Sequence, residues 1–271
     1  MAKELPLGRQ VSGSRHYDPS LLFPIARSEG RARLGLREGV LPFHGSDVWH
    51  AYELSWLEPG GRPRVALGRI EVPAASRRIV ESKSLKLYLN ALNGSTFTSA
   101  AAVRETIAAD LSSATEGAVA VTVAGLDDPA FQGVAAPGAC IDHAPFRGAS
   151  ETPARELLGV AAEETVEETL HSHLLRSLCP VTAQPDWATV VLRYRGRRLD
   201  RGALLAYLIA FREQQDFHEQ CVERIYLDLM AVLQPAALSV QALYTRRGGI
   251  DISPWRCSEP DEAPQYRLHR Q

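Results

Sequence analysis

From Trp49 onward the chain alternates apolar and polar positions with two different periods, and the switches between them predict its elements. YELSWL at 52–57 and RVALGRIEV at 64–72 alternate around the turn formers Pro59, Gly60 and Gly61, which predicts two antiparallel strands. Two helices follow. Leu85, Leu89 and Leu92 recur at helical spacing from about Ser84 to Leu92, and Val103, Ile107 and Leu111 do so from about Ser99 to Ser113. Strand signals return in AVAVTVAGL at 118–126 and in ACID at 139–142, behind the breakers Pro137 and Gly138. The first half therefore reads ββααββ.

The second half repeats that order: a strand in TVVLRYRG at 189–196, helices over Asp200 to about Arg212 and about Phe217 to Leu233, then strands in ALSVQALYTR at 237–246 and IDISPW at 250–255. SLKLYLNAL at 84–92 resembles ALLAYLIAF at 203–211, and both stand where the first helix of each half begins, as an old duplication would leave them. EETVEETLHSHLLRSL at 163–178 fits a helix rich in good formers and equally a long strand with alternating faces. Residues 1–43, rich in Arg, Gly, Ser and Pro without sustained periodicity, read as an extended arm. Three segments result: the arm, a first module over 44–150 and a second over 151–271.

A hydrophobic content of 45% over 271 residues suffices for a substantial core. Lys plus Arg number 30 against 32 for Asp plus Glu, and the net charge of -2 exerts no general pull on a phosphate backbone or an anionic membrane. The first thirty residues interleave charges with short apolar pieces, so no signal peptide is expected, and no run is long enough to span a bilayer. Cys140, Cys179, Cys221 and Cys257 are widely spaced and form no CxxC pair, which speaks against a disulfide scaffold or a zinc ribbon and for a cytoplasmic protein.

Four clusters carry candidate chemistry. In SLCPVTAQPDW at 177–187, Cys179 precedes Pro180 and Asp186 follows Pro185, and the prolines restrict the backbone beside both side chains. A thiolate nucleophile and a carboxyl group held neutral by burial would form a nucleophile and proton-donor pair; the plain alternatives are a buried packing cysteine and an Asp that bonds its local turn. In VESKSLKLYL at 80–89, Ser82 and Ser84 can cap the coming helix, Lys83 and free helix amides can hold a phosphate, and Glu81 can accept hydrogen bonds from a purine-like base; Lys86 belongs to the same group. In QDFHEQCVER at 215–224, Asp216 and Glu219 have the spacing of a capping box, which competes with a ligand-binding role for Glu219 and His218. Cys221 reads as packing, or as a thiol able to pair with Cys179 on oxidation. In YTRRGGIDI at 244–252, Arg246, Arg247, Gly248 and Gly249 suit close approach to a phosphate, and equally an ordinary glycine hairpin. Neither GxGxxG nor GxxxxGK[ST] occurs, so no Rossmann or P-loop site is expected.

Taken in order, ESKSLKLYLN, Cys179-Pro180 with QPDW, FHEQCVERI and YTRRGGIDI resemble the nitrile reductases of queuosine biosynthesis in their long, two-module form, and LPFHGSDVWHAYELSWL at 41–57 extends the likeness. The resemblance implies an α+β protein of two tandem ββααββ tunnelling-fold modules with antiparallel sheets in a barrel-like assembly, and it favours strand at 163–178. It implies NADPH-dependent reduction of the nitrile of 7-cyano-7-deazaguanine to a primary amine through a covalent thioimide, with two NADPH consumed and no metal. By matching motif, Cys179 is the nucleophile and Asp186 the proton donor or acceptor; Val80, Glu81, Ser82, His218 and Glu219 line the base; Ser82, Lys83, Arg247 and Gly248 face NADPH. A homodimer with sites at module or subunit interfaces is implied, with no membrane and no direct nucleic-acid partner. Two other readings compete: a zinc-dependent hydrolase resembling GTP cyclohydrolase, with ligands drawn from His171, His173, His218, Cys179 and Cys221, and a non-catalytic deazapurine-binding or RNA-interaction protein.

Overall fold

The computed structural model describes residues 14, 16–37, 39–146, 148 and 150–271, so the first thirteen residues of the expected arm lie outside it. The chain forms two compact units: 1–40, 46–132 and 246–252 make one, and 41–45, 133–245 and 253–271 the other. Both are mixed α+β with sheets dominated by antiparallel pairs.

In the first unit the elements are β1 (Pro24–Ala26), α1 (Arg27–Arg33), β2 (His44–Leu57, from Ser46), β3 (Pro63–Pro73), β4 (Arg78–Val80), α2 (Ser82–Ala91), α3 (Ala100–Thr115) and β5 (Ala120–Ala124). Strands β5, β3 and β2 lie side by side, all antiparallel. Their core face packs Trp49, Leu54 and Ile70 with Tyr88 of α2 and with Leu85 and Leu89 of α2 and Val103, Ile107 and Leu111 of α3, these five being among the residues whose helical spacing marked those helices. Each such buried side chain contributes roughly 1.5–3 kcal/mol. Part of the expected arm is ordered: β1 pairs antiparallel with β4, and the Tyr17 hydroxyl joins that of Tyr88 on the Asp110 carboxylate, at 2.9 and 2.5 Å. Arg27, buried, meets Asp47 in an ion pair at 2.5 Å. A run without periodicity can still be held where its polar groups find such partners.

The second unit contains β6 (Gly133–Val134), β7 (Ala139–Cys140), β8 (Val160–Leu178), β9 (Pro185–Leu199), α4 (Arg201–Ile209), α5 (His218–Leu233), β10 (Ala237–Tyr244), β11 (Ile250–Cys257, from Ser253) and β12 (Arg267–Leu268). Its strand order is β11, β10, β9, β8, β7. The stretch at 163–178 is strand, as the family likeness favoured. Cross-strand charge explains why it overrides helix propensity: Glu163, Glu164, Glu167 and Glu168 of β8 meet Arg197, Arg198 and Arg193 of β9. Exposed pairs of this kind add little stability singly, yet opposite charges across a ladder select its register. Leu204, Leu205 and Leu208 of α4 and Val222, Ile225 and Leu229 of α5 are buried, and both helices lie against the sheet.

Three expectations need correction. The ACID segment yields only β7, which runs parallel to β8 in the second unit instead of closing the first. The helix expected to reach Arg212 is α-helical only to Ile209 and tightens to a 3-10 turn over Ala210–Glu213. The arginine-glycine hairpin, late in the sequence, folds with the first unit. No helix among the described residues is long and apolar enough to cross a membrane.

Candidate active site

Cys179 opens the connection between β8 and β9, six residues that end at Gln184. Its N–H donates to the Gln184 carbonyl at 2.9 Å and its carbonyl accepts from Ala183 N–H at 3.0 Å, with Ala183 in the left-handed region at φ 53°. The loop is thus clamped at its base, and Leu178 N–H is held by the Gln214 carbonyl at 2.9 Å. Cys179 is 4% exposed. Asp186 sits directly opposite Ser177 in the ladder, which sets both side chains on one face of the hairpin, and Cys179 stands two residues beyond Ser177.

Asp186 is 6% exposed, and the Nε2 atom of His218, the first residue of α5, lies 3.1 Å from its Oδ2. The imidazole stacks on Tyr244, with centroids 3.7 Å apart and planes 18° from parallel. Beneath them Cys221 is fully buried, and burial, followed by the nearby Asp216 charge, pushes its thiol up to about 12. Burial also raises Tyr244, whose hydroxyl borders Cys221 and Ser177. A thiol at that level is neutral near pH 7, so Cys221 is a poor partner for disulfide exchange, and all four cysteines are free. It is a packing residue.

Only half of a capping box forms at this helix, one residue beyond its expected place. Phe217 occupies the cap, Gln220 receives the Phe217 N–H at 3.4 Å, and Asp216 instead accepts from the Gln214 amide at 2.9 Å. Glu219 is therefore not a capping residue, although it is only 4% exposed.

In the first unit, Glu81 and not a serine caps α2. Its Oε1 accepts from Lys83 N–H and its Oε2 from Ser84 N–H, both at 2.8 Å, while the Ser84 hydroxyl donates back to the Glu81 carbonyl. This overturns the expectation that those amides await a phosphate. The Ser82 hydroxyl donates to Oε1 as well, at 3.3 Å, so a further lone pair is left on Oε2. Val80 and Glu81 are buried, whereas Ser82 and Lys83 are half-buried.

The hairpin at 246–250 supplies the second part of this group. A bulge between Ala51 and Leu54 frees the Tyr52 N–H to donate to the Gly249 carbonyl at 2.9 Å. Glycine is required at both turn positions: φ is 64° at Gly248 and 80° at Gly249, and a Cβ would fall 2.7 Å from Lys86 Nζ in the first case and 2.3 Å from the Glu53 carboxyl carbon in the second. Lys86, unassigned in sequence, thus faces Gly248, and Arg246 lies over the Tyr52 ring. Behind the hairpin, His50 Nδ1 is 2.8 Å from Asp251, and the Tyr52 hydroxyl bonds the same carboxylate. The donor set of Lys83, Lys86 and Arg247 suits a cofactor phosphate through side chains alone.

The structure therefore groups the candidate residues by unit. Cys179, Asp186, His218 and Glu219 belong to the second, and Val80, Glu81, Ser82, Lys83, Arg247 and Gly248 to the first. The ligand set of the zinc-hydrolase reading is divided: His218 pairs with Asp186, whereas His171 and His173 gather with Cys140. Tyr244 and Ser177 stand inside motifs already singled out, but only the ladder register shows that they join the Asp186 group.

A buried thiol on the same hairpin as a buried carboxylate that pairs with an imidazole, on an α+β frame, is the set of groups that enzymes of the nucleophile and proton-donor class require. Two family models match the chain, "Nitrile reductase, 7-cyano-7-deazaguanine-reductase N-term" over residues 14–123 and "QueF-like protein" over 185–263. A curated relative from Chromohalobacter salexigens, described as NADPH-dependent 7-cyano-7-deazaguanine reductase, is 52% identical over 267 residues, covering 98% of this chain and 96% of that one. The chain belongs to the NADPH-dependent 7-cyano-7-deazaguanine reductase family. The solved archaeosine synthase QueF-Like in its apo form aligns with 36% of this chain and 96% of that one, at 17% identity and a TM-score of 0.32, too slight a likeness to bear on the fold.

Proposed function

We propose that this chain reduces the nitrile of 7-cyano-7-deazaguanine to the amine of 7-aminomethyl-7-deazaguanine, a step of queuosine biosynthesis. It is an NADPH-dependent oxidoreductase acting on a nitrile. The observation that carries the covalent mechanism is the β8–β9 hairpin, which holds buried Cys179 at its tip connection and buried Asp186 at the foot of the return strand.

In this reading the Cys179 thiol passes its proton to the Asp186–His218 pair, the thiolate adds to the nitrile carbon, and the nitrogen takes a proton from Asp186, giving a thioimide. His218, 3.1 Å from Asp186, exchanges protons with it and restores the acid between steps. Stacking on Tyr244 fixes the imidazole plane for that exchange. NADPH, when bound, supplies the hydrides, one from each of two molecules. Cys179 would leave as thiolate when the C–S bond breaks, and Asp186 would supply the second proton that the amine nitrogen requires. The clamped loop holds Cys179 out of bulk water, which suits hydride chemistry.

Val80, Glu81, Ser82, His218 and Glu219 are assigned to the deazapurine base. Support comes from the burial of Glu81 and Glu219, since two carboxylates kept from water are natural acceptors for the amino and ring N–H groups of a flat heterocycle. Ser82, Lys83, Arg247 and Gly248 are assigned to NADPH, with Lys86 added from its place against Gly248. Two tandem tunnelling-fold modules, with their boundaries moved to those of the two compact units, a barrel-like homodimer and a cytoplasmic setting complete the proposal. The repeated order of β2, β3, α2, α3 and β8, β9, α4, α5 supports the duplication.

Intact-mass spectrometry of the protein with the nitrile, without NADPH, tests the mechanism. The expected result is one added nitrile mass located on Cys179, with neither adduct nor NADPH oxidation in Cys179→Ala. An alanine variant that turns over normally ends the covalent reading.

A further inference from the structure

A second cluster of side chains lies apart from every residue assigned to reduction. Cys140 of β7 is directly opposite His171 of β8 in a parallel ladder, so their side chains leave the same face of the sheet, and His173 follows two residues on. One ligand atom from each of the three lies within 4.8 Å of the others, Cys140 is exposed, and the two rings have centroids 5.0 Å apart. Both imidazoles are already oriented. His171 Nδ1 is 2.8 Å from the Pro137 carbonyl, which can only accept, so this nitrogen donates, and in the neutral ring the lone pair is on Nε2. His173 Nδ1 is 2.9 Å from the Thr189 hydroxyl, which holds the second ring in the same manner when Nδ1 donates. A metal-binding histidine characteristically has its other ring nitrogen bonded to a carbonyl or similar acceptor.

We propose that Cys140, His171 and His173 bind one divalent ion of the zinc class, as thiolate and two neutral imidazoles, with water in the fourth position. The chemistry of the donors selects the ion: a thiolate with two imidazoles suits zinc or cobalt and is a poor set for magnesium or calcium, which take oxygen. Tetrahedral coordination with bonds of about 2.0–2.3 Å sets ligand atoms roughly 3.3–3.6 Å apart, so the three side chains must draw in by about 1 Å. The exposed Cys140 side chain has the freedom to do so. Closing the cluster fastens β7, only two residues long, to β8, and with it the connection from Gly133 to Pro145. The site plays no part in hydride transfer, and its existence does not depend on the reductase reading.

Cobalt(II) titration of the full chain tests it, because thiolate ligation gives a near-ultraviolet charge-transfer band and tetrahedral geometry gives strong visible bands. The first equivalent should raise both, and zinc should bleach them. Cys140→Ser and His173→Asn should abolish the thiolate band or the tetrahedral spectrum respectively, and Thr189→Val should weaken binding about 10–100-fold by releasing the outer hydrogen bond. Cys179→Ala should leave the titration unchanged. Absence of a thiolate band at one equivalent, its persistence in Cys140→Ser, or its loss in Cys179→Ala would each overturn the proposal, while the nitrile adduct on Cys179 reports separately on the reductase site.

Discussion

Replacing Asp186 by Asn isolates proton transfer from every other contribution of the site. The amide has nearly the shape of the carboxylate, and its carbonyl oxygen can still meet His218 Nε2 across the 3.1 Å now spanned by Asp186 Oδ2. The backbone pairing with Ser177 is unaffected, so the hairpin should keep its fold. What is lost is the acid. One positioned acid–base group contributes about 10²–10⁴ in rate, and at 1.36 kcal/mol per tenfold this is about 2.7–5.4 kcal/mol of barrier. Asp186 is 6% exposed and the His218 side chain 13%, which leaves little room for water to act in its place. The upper part of the range, about 10³–10⁴, is therefore expected. Steady-state oxidation of NADPH, followed by the absorbance of the reduced cofactor, measures kcat, and circular dichroism checks the fold. A kcat within about fivefold of the native value in a folded Asp186→Asn protein would refute the assignment, since no proton donor of this class is worth so little.

Other outcomes follow from the same geometry. Gly248→Ala forces an L side chain to φ 64° and places its Cβ 2.7 Å from Lys86 Nζ, so it should cost about 1–2 kcal/mol of stability and raise the KM for NADPH, with adduct formation on Cys179 preserved. An unchanged KM would remove the hairpin from the cofactor site. Glu223 receives two hydrogen bonds from fully buried Arg256, at 2.9 and 3.2 Å, and Glu223→Ala should destabilise the protein by about 3–5 kcal/mol in denaturant melts by stranding that guanidinium. A double change to Glu223→Met and Arg256→Met should recover much of the loss. Stability should also fall at alkaline pH: burial raises Cys221 from 9.0 to about 12 and Cys257 from 9.0 to about 11. Above pH 9 the unfolded chain releases thiol protons that the folded chain retains, so the thermal midpoint should drop as pH rises toward 11, and less steeply in Cys221→Ala.

The position and type of most elements were legible because burial on one face imposes a period that the chain displays directly. Leu85 with Leu89, and Val103 with Ile107 and Leu111, are core residues of the helices their spacing announced. Cys179 and Asp186 were likewise visible as chemistry beside prolines. Local sequence alone did not determine how long partners would be used. The glutamates of β8 favour helix on their own, and pairing with β9, some thirty residues later, holds them in a strand, with the arginines of β9 matching their charge. Glu81 became the cap of α2, Gln220 took the place expected of Glu219, and His218 turned its Nε2 to Asp186. The meeting of Cys140 with the two histidines depends on a parallel pairing of two residues that carries no signal in spacing. Periodicity records what a residue does to water, one residue at a time, whereas a hydrogen bond or a ligand set depends on which distant segment arrives, and that is decided when the whole chain packs.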